Sequence, residues 1–90
     1  MFAVQLSDEL KIKLRKLSKK YPKLACIINK KIKQIINNDA ETIEHYKNLR
    51  HGLSHFKHVH IDKHFVLTFK VNKEENLICF LDINHHDDAY

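Results

Sequence analysis

All eight histidines of this 90-residue chain fall between His45 and His86. Two of them, His58 and His60, stand two apart in Phe56-Lys57-His58-Val59-His60-Ile61. Successive side chains of a strand point to opposite faces, so His58 and His60 share a side with Phe56 while Val59 and Ile61 share the other. His64 follows in a turn, and His85-His86 come after a further apolar run. These five imidazoles are expected at one sheet edge. Imidazole titrates near neutrality, so a cluster can hold both a proton acceptor and a proton donor. Cleavage of RNA by its own 2′-hydroxyl needs that combination: a base takes the hydroxyl proton, an acid protonates the leaving 5′-oxygen, and cations stabilise the phosphorane. No metal is required. A competing chemistry is a zinc site, with His58, His60 and either His86 or Asp87 as ligands and one open position. No cysteine pair or His-Glu-x-x-His motif accompanies it. A merely solvated polar strand face would show the same spacing.

Elements that could position these side chains are legible upstream and downstream. Phe2 to Leu6 suits a short first strand. Ser7 is a good helix cap, with Asp8 and Glu9 placed to complement the helix dipole. Leu10, Leu14 and Leu17 recur at helical spacing up to about Lys20, where Tyr21-Pro22 interrupts. Leu24, Ile28, Ile32 and Ile35, flanked by Ala25 and Ile36, form the apolar stripe of a second helix. It should close near Asn37-Asn38-Asp39, where asparagine can take the left-handed conformation. After a less regular stretch from Ala40 to Leu53 the period becomes two: residues 56–61, a turn at Asp62-Lys63-His64, residues 65–71, a polar connection, then residues 77–83. The order β-α-α-β-β-β predicts an α+β fold. A helical hairpin would pack on one face of a small antiparallel sheet, within a single domain over residues 1–90.

Charge divides the chain unevenly. Residues 1–36 carry ten Lys or Arg against Asp8 and Glu9, whereas the remainder carries six against nine acidic groups. The basic half is an electrostatic footprint for a polyanion, or a solvated helix face. No helix-turn-helix, zinc-finger or RNA-recognition signature accompanies it. The balance of 43% hydrophobic and 30% charged residues argues against disorder. The start has no apolar signal-peptide core, and no apolar run approaches the roughly 20 residues of a membrane span, so a soluble cytoplasmic protein is expected. Cys26 and Cys79 are then expected as buried, reduced thiols, a disulfide between them being the lesser alternative.

Tyr46-Lys47-Asn48-Leu49, His60-Ile61, Phe65-Val66-Leu67, Phe80 and His85-His86-Asp87 through Tyr90 resemble the RelE/ParE superfamily of toxins from type II toxin–antitoxin systems. The YafQ-like branch is the most similar. The resemblance implies a RelE-like fold, a ribosome-dependent endoribonuclease (mRNA interferase) needing no cofactor, and neutralisation by a cognate antitoxin, with a higher-order toxin–antitoxin complex as a further expectation. It places His60 and His86 on family histidines and Tyr90 on a terminal aromatic. His58 and His64 stand where that branch carries aspartates, and Arg50 or His51 takes the place of an upstream histidine. Lys57, Lys63 and His85 are the neighbouring RNA-binding candidates. The alternative within the superfamily is a non-catalytic ParE-like gyrase inhibitor, which would need no imidazole pair; a zinc-dependent hydrolase is the other.

Overall fold

The computed structural model describes residues 1–46 and 56–85. Strand β1 (Ala3–Leu6) leads into helix α1 (Asp8–Lys20), and Tyr21 alone separates α1 from α2 (Pro22–Ile36). The Ser7 side chain accepts the Leu10 N–H at 3.1 Å, satisfying one of the free donors of the first turn of α1. Pro22 opens α2, where its missing N–H costs nothing. A short 3-10 helix at Thr42–His45 follows, then β2 (Phe56–Ile61), β3 (Phe65–Asn72) and β4 (Leu77–His85). The sheet order is β1-β4-β3-β2.

The expected fold is present, with two differences. The sheet is mixed rather than wholly antiparallel, because β1 runs parallel to β4 while β2/β3 and β3/β4 are antiparallel. A parallel neighbour needs a crossover, and the intervening helices and strands supply it. Asn37, at the end of α2, stays in the right-handed region (φ −80°, ψ −5°). The helix is closed instead by Asn38, whose side-chain amide donates to the carbonyls of Gln34 and Ile35.

Both helices press one face of the sheet. Leu10 of α1 and Ile28, Ile32 and Ile35 of α2 share a buried cluster with Ile61, Leu67, Phe69 and Phe80 of the strands. The apolar stripe on α2 is therefore its core face. The cysteines are not buried as expected: Cys26 is exposed on α2, Cys79 is partly buried on β4, and both are free thiols. Cys26 escapes burial because it is two residues out of phase with Ile28 on the helix.

One irregularity matters for the site. Thr68 pairs with Asp82, but Phe69 pairs with Phe80, so Leu81 is an extra residue in β4. Such a bulge reverses which face later residues occupy. Before it, Ile78 and Phe80 face the helices; after it, Ile83 and His85 do, and Asp82 and Asn84 take the opposite face.

Candidate active site

Strand β2 lies at one edge of the sheet and alternates as its sequence requires. Val59 packs toward the helices and Ile61 is buried there. Lys57 shares that side. It is only 5% exposed, and its ammonium donates to the Tyr46 carbonyl at 3.2 Å and sits 3.5 Å from Glu44. The other Glu44 oxygen takes Lys73 at 2.6 Å. The hydrogen bond from Lys73, then the Lys57 charge, hold the Glu44 carboxyl below its ordinary pKa. Lys57 is thus held on the helix side, on the face opposite the two strand histidines.

His58 and His60 occupy the other face, paired across the ladder with Thr68 and Val66. Their rings lie edge to face, with centroids 6.0 Å apart. His58 is partly buried, its Nδ1 shielded from solvent, while His60 is exposed. Thr68 and Val66, their cross-strand neighbours on the same face, are buried.

The expected single cluster divides in two. His64, in the turn, stacks on His85 at 6.1 Å with 12° between ring planes, and the Phe65 ring meets His85 edge-on at 5.6 Å. His85 pairs with Phe65, so the bulge at Leu81 has put it on the helix side. Both pairs occupy the same end of the sheet, since His60 pairs with Val66 and His85 with Phe65. They address opposite faces of it. Lys63 is exposed in the same turn, in the left-handed region at φ 67°. Arg50, His51, His86 and Tyr90 lie outside the described residues.

Three residues with no motif to announce them join the histidine face. Asp82 continues the row His58–Thr68 across the sheet, and Asn84 continues the row His60–Val66. Lys13 reaches them from α1, its ammonium 2.6 Å from Asp82 and 3.2 Å from the Asn84 side-chain oxygen. The basic bias of the first 36 residues was the one signal that a helix lysine could matter here. An imidazole pair can accept and donate protons, while the Lys13 ammonium is engaged by Asp82, the Ile83 carbonyl and Asn84. Among the described residues, no three His, Cys, Asp or Glu side chains gather as a metal site. None of the described helices is long and apolar enough to cross a membrane.

No protein-family model matches the sequence. A protein of Methanocaldococcus jannaschii named "Putative toxin RelE4" is 43% identical over 90 residues, covering the whole of this chain and 92% of that one. The chain belongs to the RelE family of toxins. Solved structures of RelE-like toxins share its fold. A metal-bound toxin from Helicobacter pylori superposes with a TM-score of 0.76 over the whole of both chains at 20% identity. The Mycobacterium tuberculosis RelBE2 toxin–antitoxin complex gives 0.75 at 16% identity, over 97% of this chain and 93% of its match. YafQ from E. coli gives 0.73 at 16% identity, over 100% and 99%. The architecture is therefore that of RelE and YafQ toxins.

Proposed function

We propose that this RelE-family protein is the toxin of a toxin–antitoxin pair and an endoribonuclease that cuts mRNA on the ribosome in the cytoplasm. The observation that carries this reading is the His58–His60 pair, set on edge strand β2 on the face turned away from α1 and α2, beside buried Thr68 and Val66. His60, exposed and anchored between Val59 and Ile61, acts as one member of the acid/base pair, and His86 as the other. His58 orients His60 or the scissile phosphate. His64 and His85, with Arg50 or His51, steady the RNA around the cleavage point, and Tyr90 stacks on a base. Lys63 supplies a flanking charge. Lys57, already engaged by Glu44, serves the fold instead. General acid–base assistance contributes about 10²–10⁴-fold, and positioning on the ribosome supplies the remainder. A basic toxin of this kind requires an acidic antitoxin that folds on contact with it, and the pair can assemble further.

The test is translation of a defined mRNA with purified ribosomes and primer-extension mapping, with and without excess chelator. Ribosome-dependent cuts within codons that persist in the chelator are expected. Intact mRNA alongside poisoned DNA gyrase would replace this reading with the ParE-like one, and chelator-sensitive cutting would remove the metal-free mechanism.

A further inference from the structure

Strand β4 outruns its neighbour. β1 pairs with β4 only from Leu77 to Phe80, yet β4 continues to His85. Among the described residues, no strand pairs with the β1-side edge beyond Phe80, and unpaired backbone groups are costly where water is partly excluded. Side chains of Ser7, the N-cap of α1, and of Lys13 within it take over. The Ser7 hydroxyl donates to the Leu81 carbonyl at 2.5 Å. Two residues further along, the Lys13 ammonium donates to the Ile83 carbonyl at 3.2 Å. The same ammonium holds Asp82 Oδ1 at 2.6 Å, and that oxygen accepts the Ile83 N–H at 2.9 Å. Asn84 adds a third acceptor at 3.2 Å. One lysine thereby satisfies, directly or through Asp82, both backbone groups of Ile83.

We propose that Lys13 is a positioning residue that holds the edge of β4 beyond its pairing with β1, clamping the end of β4 so that His85 stays stacked on His64. The geometry fits that task better than phosphate binding. A phosphate-binding lysine needs its charge available, whereas this ammonium already has three acceptors, one of them a carboxylate. The clamp lies one to three residues before His85, with no glycine between, so its grip is transmitted along extended backbone. Its service to catalysis rests on the endoribonuclease reading; the clamp itself does not.

The experiment compares wild type with Lys13→Met, Lys13→Arg and Asp82→Asn, the last loosening the same grip without altering α1. Proteins labelled with ¹³C-histidine and ¹⁵N report the His64 and His85 ring resonances and amide exchange at residues 82–85. In Lys13→Met and Asp82→Asn those rings should move toward free-histidine positions. Exchange at Ile83 should accelerate by about tenfold or more, while Phe69 and Ile78 stay protected. Lys13→Arg should keep most of the wild-type pattern. Unchanged resonances and exchange in both loosened variants overturn the clamp whatever the activity does.

In the ribosome assay, kcat should fall by about tenfold in Lys13→Met with KM within about twofold, and Lys13→Arg should recover most of it. A raised KM with unchanged kcat would show a phosphate contact and overturn the positioning role. A wild-type protein that cuts no mRNA removes the function proposed above, while the resonances and exchange still decide the clamp.

Discussion

Lys57 and His58 are neighbours in sequence, and the pleat sends them to opposite faces with opposite fates. On the helix side of β2 and its neighbours the core is committed: Lys57 is buried against Glu44 and Tyr46, and Phe69 and Phe80 are wholly enclosed. On the other side His58 and His60 stand beside buried Thr68 and Val66, and His60 is exposed. The same strand thus carries one face packed into the core and one that bears the proposed acid/base histidine. The division is physical: Lys57 is fixed by packing and by a charged partner, whereas the His60 ring is exposed.

Substitutions on the two faces should separate accordingly. Phe69→Ala removes a ring with no exposed surface, and the cavity should cost about 3–5 kcal/mol, enough to unfold much of a domain this small. Chemical denaturation should show the lost midpoint, and a cost under about 1 kcal/mol would mean the helix-packed face is looser than described. His60→Ala should do the reverse. Stability should stay within about 0.5 kcal/mol, as for most exposed positions, while cleavage falls at least about 10²-fold, near 2.7 kcal/mol of transition-state stabilisation. His45→Ala, in the 3-10 helix, is the control and should be nearly silent in cleavage. A His60→Ala protein that melts and cuts like wild type would move the chemistry to Arg50 and the helix lysines.

Most of the element boundaries were legible because local pattern sets them. Period two marks residues 56–61 and 65–71, helical spacing marks Leu10 to Leu17 and Leu24 to Ile36, and Ser7 and Pro22 punctuate. What stayed hidden is non-local. The Lys13–Asp82 contact joins residues 69 apart, and no spacing rule reaches so far. The parallel pairing of β1 depends on where the helical hairpin delivers the chain. The split of the histidines hangs on one bulge: strict alternation from Phe80 puts His85 on the face opposite the helices, and the extra Leu81 reverses it. Four of the candidate residues, Arg50, His51, His86 and Tyr90, remain sequence assignments.

A gentler change probes the committed face through pH. Glu44→Gln keeps the shape but removes the carboxylate shared by Lys57 and Lys73. Glu44 is half-exposed, so solvent screens the pair and the cost at neutral pH should be about 1 kcal/mol. Because the folded-state pKa of Glu44 is lowered, its contribution is complete above the ordinary carboxylate range and disappears as pH falls through the folded value. The stability gap between wild type and Glu44→Gln should therefore narrow on acidification. Asp39, also lowered, chiefly by the Thr42 backbone N–H, titrates in both proteins and cancels from the difference. A gap constant down to strongly acid pH would mean Glu44 holds neither lysine in solution.

The smallest effect is expected where the two faces meet, in the turn between β2 and β3. Lys63 has φ 67° there, a region in which a side chain bearing Cβ is strained by roughly 1 kcal/mol and glycine is not. Glycine brings extra freedom to the unfolded chain, offsetting about half of that gain. Lys63→Gly should then stabilise the protein by about 0.5 kcal/mol, raising Tm by roughly 2–4 °C in a domain of this length. Asn76→Gly, at φ 54°, should gain less, because asparagine tolerates the left-handed region. The same Lys63→Gly protein also tests the RNA reading. If Lys63 meets a phosphate, affinity for single-stranded RNA should drop and the slope of log affinity against log salt should flatten by about 0.7. Stability that rises while the salt slope stays fixed would confine Lys63 to the turn, leaving the flanking charge to other residues.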